Sequence, residues 1–390
     1  MTHAVSRSKP GCVRARRALW LIMTASVSAC ATDGTTKPTP VLTVPVLAWR
    51  VDAPGGPGRE RTIVPAASAS MFLAIAPRGD VTALDRTTGA VRWAVPNGGG
   101  LAAPERLLVS NNIVLLPGDT VRGFDLQTGA RVWSYTPPTS TAGCDPSVAG
   151  DLFIVCSSDW QVIALRAATG AVAWIRPLRD SLGGVPRLKA TAAAGDTVYA
   201  VVQQDYSRTV GFSIALIFGI DRRSGVIVSR LHVGDYTDFT GDVSTPTIVG
   251  NLLIFPHGLV NKVTAIDRFT GRVVWRVFGD PGWVGFQRGP LNVVNGVIYG
   301  ASGDRRVYAI TAATGAVLWK SAILDGSQFV AVACGPYVFT WASVGVRILN
   351  RATGEYLGLL GNYTTQPVVD GTELFLQTAS DFSKFNCITQ

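Results

Sequence analysis

The sequence predicts an all-β fold, an eight-bladed β-propeller of four-stranded antiparallel blades, and three features of the chain lead there. First, the stretch Val81 to Trp93 reads as a β-hairpin: an alternating apolar run, a turn through Asp85 and Gly89, and a return strand ending on Trp93. Second, that hairpin recurs. Its glycine reappears at Gly129, Gly170, Gly225, Gly271, Gly315 and Gly354, 39 to 55 residues apart. Four positions before these glycines stand Asp85, Asp125, Arg166, Asp221, Asp267, Thr311 and Asn350. Four positions after stand Trp93, Trp133, Trp174, Ser229, Trp275, Trp319 and Gly358. Five Trp in seven copies is far beyond chance, and short-strand repeats of this length are the signature of a propeller. Third, the two ends of the repeat region complete one another.

A Pro opens most repeats, 24 or 25 residues before the turn glycine: Pro65, Pro104, Pro146, Pro246 and Pro290. Each unit then gives a short strand, a Gly, Asn or Asp turn, an apolar strand, a loop, and the hairpin. These four strands are lettered A to D from the axis outward. In the third repeat they read Ser147–Ala149, Leu152–Cys156, Gln161–Leu165 and Ala171–Trp174. Seven copies carry the turn glycine, yet eight blades are expected. After Gly358 the chain supplies strands A, B and C but no D, while residues 46–52 form a lone strand carrying Trp49. Pairing the two closes the ring and removes the sheet edges. Seven blades with loose ends is the plainer alternative.

Composition agrees. The chain is 47% hydrophobic and 16% charged with 42 Gly, and three His and three Met leave little material for a metal or haem centre. Formal charge is +9, but Arg7, Lys9, Arg14, Arg16 and Arg17 supply five of those charges. No basic stripe with interleaved aromatics follows, so nucleic acid is not an expected partner. Residues 1–29 read as a signal peptide: a basic segment, the apolar run Ala18 to Met23, then Val27-Ser28-Ala29-Cys30. The apolar run is shorter than the ~20 residues that span a bilayer. Residues 30–45 are rich in Thr and Pro and read as a tether, leaving 46–390 for the propeller.

The segment ending at Cys30 resembles a bacterial lipobox, which implies lipidation of Cys30; an ordinary signal peptide with a chance Cys is the alternative. Ala31 after it resembles an outer-membrane address. The pattern Ala-x-Asp-x-x-Thr-Gly-x-x-x-Trp resembles the tryptophan-docking repeat of pyrroloquinoline-quinone-type propellers, and the Trp-Asp pair of WD40 repeats is absent. With the lipobox and tether, the chain is similar to the BamB-like lipoproteins of outer-membrane β-barrel assembly. That resemblance implies a non-catalytic, lipid-anchored scaffold in the periplasm or at the cell surface. It implies no cofactor, a monomeric ring, and a protein partner such as a β-barrel assembly subunit. Two other readings stand beside it, a binding propeller for another protein or small ligand and a quinoprotein-like oxidoreductase. Enzymes of the latter kind resemble larger chains with an adjacent Cys pair and clustered carboxylates for Ca²⁺, and neither occurs here.

Loops therefore carry the expected function. Those of repeats three to five are the most elaborate, and their candidate contact residues are Arg179, Leu182, Tyr206, Arg208, Tyr236, Asp238, Phe239, Asp242, Trp283 and Phe286. Trp283 and Phe286 have the alternative of tucking under their own blades. Relative to the family, an acidic pair is reduced to Asp242, and a basic, leucine-rich loop to Arg179 and Leu182. Cys144 and Cys156 lie six residues either side of Gly150, so a cross-strand disulfide is expected, with two buried thiols the alternative. Pairing of Cys334 with Cys387 is left open.

Overall fold

A computed structural model describes residues 45–54, 66–75, 80–96, 107–139, 141, 144–178, 185–205, 213–233, 245–257, 261–280, 285–286, 289–325, 328–342, 345–361, 363 and 366–388. They form eight four-stranded antiparallel sheets. Seven are built in chain order, spanning 66–95, 108–135, 147–177, 185–233, 247–278, 292–320 and 328–361. The eighth combines strands A to C (Val368–Asp370, Glu373–Gln377, Asp381–Asn386) with Val46–Asp52 as strand D. The register runs from Val46 opposite Asn386 to Asp52 opposite Asp381. The ring is closed by the two ends of the repeat region, as the sequence predicts.

The core is not one mass but eight apolar slabs, one between each pair of neighbouring blades. Side chains alternate between the faces of a strand, and in blade three both faces are covered. Leu152, Ile154 and Cys156 enter the slab shared with blade four, while Phe153 and Val155 enter the slab shared with blade two. This is why strand B reads as a continuous apolar run rather than an in–out alternation. The slab between blades eight and one holds Trp49, Phe72, Phe375 and Phe382, with Phe72 stacked on Phe375 at 4.6 Å.

Each turn glycine adopts positive φ, between 69° and 75°. Asp85, Asp125, Asp221 and Asp267 fold back on their turns. Asp85 Oδ1, for example, accepts from Thr87 N at 3.0 Å and from Thr88 N at 2.8 Å. Asn350 does the same with Ala352 N at 2.8 Å. The return strand carries a one-residue bulge, as at Arg92 opposite Ala83 and Leu84. This sets Trp93 opposite Ala83, Trp133 opposite Gly123, Trp174 opposite Ala164, Trp275 opposite Ala265 and Trp319 opposite Ala309.

Each Trp then docks on the next blade. The indole rings of Trp49, Trp93, Trp133, Trp174, Trp275 and Trp319 cover Gly89, Gly129, Gly170, Gly225, Gly315 and Gly354 in turn. Their Nε1–H groups donate to Arg86, Leu126, Ala167, Arg222, Ala312 and Arg351 carbonyls at 2.8 to 3.1 Å. Thus the acceptor an otherwise buried indole needs is a carbonyl freed by the neighbouring turn. Where Ser229 replaces Trp in blade four, Leu231 covers Gly271 instead.

Blade four differs from its neighbours. The extra residues between its strands B and C are partly absorbed as strand, with Thr197–Asp205 and Ser213–Asp221 each nine residues long against five in strand B of blade three.

Candidate partner-binding surface

The D–A connections and B–C turns of blades two to six emerge on one face, and the structure describes what holds their bases. Asp145, just before strand A of blade three, is a hub. Its N–H donates to Lys189 O at 3.0 Å, and its carbonyl accepts from Thr191 N at 3.0 Å, both in strand A of blade four. Its carboxylate accepts from Thr245 Oγ1, at the entry to blade five. Ser147 and Thr191 hydroxyls meet at 2.8 Å. One aspartate therefore fastens three consecutive blades under the loops proposed to meet a partner. The adjacent Cys144 forms a disulfide with Cys156 (Cα–Cα 5.9 Å), fixing the connection into blade three to the end of its strand B. The expected pairing is present, although Cys144 lies just before strand A rather than within it.

Blade three's B–C turn is tied to the connections that enter and leave the blade. Thr139 Oγ1 donates to Asp159 at 2.8 Å, and Leu178 N to Trp160 O at 2.8 Å. The exit of blade five is anchored at both ends. Asp280 N donates to Asp304 Oδ2 and to Tyr308 Oη, each at 3.0 Å, and Asp280 pairs with Lys320 at 2.8 Å and with Arg306 at 3.1 Å. The hydrogen bond from Lys320 holds the Asp280 carboxyl below the usual range. Burial, and the hydrogen bond to Asp304, push the Tyr308 hydroxyl well above its ordinary value.

At the other end of this exit, Phe286 pairs by backbone with Ser302 and is 1% exposed, its ring 5.4 Å from Tyr308. This corrects one expectation. Phe286 is an anchor in the slab between blades five and six, because that apolar slab takes its ring out of water, and it is not a contact residue. Arg179, Leu182, Tyr206, Arg208, Tyr236, Asp238, Phe239, Asp242 and Trp283 lie outside the described residues. Cys30 and residues 1–44 do too.

Sequence reasoning missed a set of arginines that lock neighbouring blades together. They stand three before the turn glycine. Arg86 donates to Ser68 O of its own blade and pairs with Asp370 and Glu373 of blade eight. Arg222 pairs with Asp196 of its own blade at 3.0 Å and with Asp151 of blade three at 3.5 Å. Arg351 reaches Gly335 O at 3.1 Å and Tyr299 Oη of blade six at 2.9 Å. The only signal in the sequence was Arg at a fixed offset, which a solvent-facing turn would also allow. A second disulfide, Cys334–Cys387 with Cα–Cα 5.7 Å, joins strand A of blade seven to the end of blade eight and settles the open pairing.

Among the described residues no three His, Cys, Asp or Glu side chains gather as a metal-ligand set. What the described residues form is a closed ring of eight blades docked on one another by tryptophans. The chain belongs to the family described as outer membrane protein assembly factor BamB, which matches residues 46–215 and 259–381. Relatives of that name from Moranella endobia and Shewanella oneidensis are each 24% identical, over 274 and 247 residues. These matches cover 63% and 48% of this chain, and the chain spans 63% and 62% of the relatives' lengths. The crystal structure of BamB from Moraxella catarrhalis superposes with a TM-score of 0.64 at 18% identity, covering 88% of this chain and all of that one. A quinohemoprotein alcohol dehydrogenase from Pseudomonas putida gives 0.62 at 14% identity, covering 88% of this chain and 76% of its own. At such identities the likeness of structures speaks for the fold alone.

Proposed function

We propose that the protein is a non-catalytic scaffold lipoprotein of outer-membrane β-barrel assembly, exported by residues 1–29, lipidated at Cys30 and tethered through residues 30–45. The observation that carries the reading is the family match on both halves of the ring, 46–215 and 259–381. Two or more acyl chains at Cys30 would hold the ring at the membrane, where one alone binds marginally. The partner is a protein, met by the loops of blades three to five above the Asp145 hub. Aromatic and Arg side chains in those loops supply the contact energy, and the hub and the Cys144–Cys156 disulfide limit the entropy lost on docking.

The test is recovery of the lipidated protein from native membranes followed by mass spectrometry of what comes with it. A Tyr236→Ala, Asp242→Ala, Trp283→Ala variant is run beside wild type. A barrel-assembly subunit recovered with wild type and lost with the variant is the expected result. No assembly subunit with wild type rejects the function. Equal recovery with both proteins keeps the function and moves the contact to another face.

A further inference from the structure

In blade three, the side chain seven residues before the turn glycine is Ile163, fully buried in the slab shared with blade two. Blade seven places Arg347 at the equivalent position. Its neighbours Val346 and Ile348 face blade eight, and Leu349, on Arg347's own side of the strand, enters the slab shared with blade six. Arg347 is 5% exposed, and its Nη1 is fully buried with no hydrogen-bond partner. None of the ion pairs among the described residues includes it. A buried guanidinium that makes no contact ion pair and leaves Nη1 without an acceptor is unfavourable, so its retention calls for a hydrogen-bonding anion.

The space for that anion is present. Arg347 lines a cavity of about 440 Å³ between the exit of blade six (Ile323, Leu324, Asp325) and strand D of blade seven (Tyr356, Leu359). Three of these walls are aliphatic, and one carries a phenol. Asp325, exposed on the same wall, adds a negative charge that disfavours a dianion such as phosphate or sulfate. A planar guanidinium matches a carboxylate by two parallel hydrogen bonds. We infer that the cleft between blades six and seven is a binding site for a monocarboxylate on a compact apolar body, with Arg347 as its counter-ion and Ile323, Leu324 and Leu359 as its apolar walls. Its volume lies within the range of small-ligand pockets. A free carboxylic acid and the C-terminal end of a polypeptide share this chemistry. The site is separate from the loops of blades three to five, so its failure would leave the scaffold reading intact.

Isothermal titration calorimetry of the detergent-solubilised full chain tests it, with 4-methylpentanoate and its neutral amide as probes. Saturable binding of the carboxylate, at least about tenfold tighter than the amide, is expected from a charge-assisted pair. Arg347→Met should abolish that preference and Arg347→Lys restore part of it. Arg347→Met removes an unpaired buried charge, so its denaturation midpoint should not fall. If it does not fold, Ile323→Trp fills the mouth from an exposed position and should block binding just the same. Acetyl-Gly-Gly-Leu with a free or amidated end separates the two sources: tighter binding of the free-ended peptide than of 4-methylpentanoate identifies a chain terminus, and weaker binding a small acid. Equal affinity for carboxylate and amide, binding unchanged in both variants, or displacement by equimolar chloride overturns the inference.

Discussion

Gly170 serves two structures at once. Its φ of +69° makes the turn of blade three, and the missing side chain makes room for the indole of Trp133, which an added Cβ would meet at 2.5 Å. Gly271 meets Leu231 at 3.2 Å and the His232 carbonyl at 3.3 Å, and Gly195, at φ +59°, meets nothing within 4 Å. Alanine at these three positions should therefore destabilise in the order Gly170, Gly271, Gly195. Left-handed backbone alone costs about 1–2 kcal/mol, and overpacking adds about 1–3 kcal/mol where the indole stands. Denaturant midpoints check the order, and equal losses would mean that backbone strain alone decides. Truncating the ring instead, by Trp133→Ala, should cost about 3–5 kcal/mol. The same turns carry a pH signature. Asp125 is held below the ordinary carboxylate range by the Thr128 N–H, Asp221 by the Ser224 hydroxyl and Asp267 by the Thr270 N–H. A lowered carboxyl pKa stabilises fully above the unfolded value near 4 and loses that contribution as pH falls through the folded value. The denaturation midpoint should be flat above about pH 5 and fall below it. Asp267→Asn, which keeps an acceptor oxygen, should make the fall shallower; an unchanged slope would place the acid sensitivity elsewhere.

At the scale of elements, the disulfide between Cys334 and Cys387 closes a 53-residue separation across the interface of blades seven and eight. Chain-entropy reasoning gives such a crosslink about 4 kcal/mol, against about 3 kcal/mol for the 12-residue separation of Cys144 and Cys156. Replacing Cys334 and Cys387 with Ser should accordingly lower the denaturation midpoint more than replacing the other pair. The reverse order would mean that the connection into blade three matters more to stability than the interface between blades seven and eight. The pattern of small residues opposite each Trp belongs to this scale too. Blade seven has Gly358 in place of Trp, and there Ile348 takes the position held elsewhere by Ala or Gly. The volume lost on one strand is restored on its partner, as a close-packed slab requires.

The whole molecule depends on one seam. Strand Val46–Asp52 covers Asp381–Asn386, Trp49 docks on blade one, and Arg86 reaches Asp370 and Glu373. Lys384 adds a pair with Glu373 at 2.5 Å and a bond to Arg86 O at 3.0 Å. Deleting residues 46–52 would leave the unpaired edge of Asp381–Asn386 open to pairing with another chain. Size-exclusion chromatography should then show dimers or larger species; a well-behaved monomer would show that the remaining seven interfaces suffice.

The sequence by itself determined the repeat, its hairpins, the number of blades and the exchange of strands that closes the ring. These follow from local rules, turn chemistry and strand periodicity, which recur at a fixed spacing and so stand above noise in a single chain. The pairing of Cys144 with Cys156 was legible for the same reason, being local to one hairpin. Only the tertiary structure decided what lies between blades. It gave Trp133 its acceptor on Ala167, made Arg86, Arg222 and Arg351 clamps rather than surface charges, and paired Cys334 with Cys387. It turned Phe286 inward and left Arg347 buried in a cleft with its Nη1 unpaired. The indole acceptor, the arginine clamps and the second disulfide join residues roughly 30 to 300 positions apart, where position along the chain says nothing about distance and the docking of neighbouring sheets fixes which groups meet.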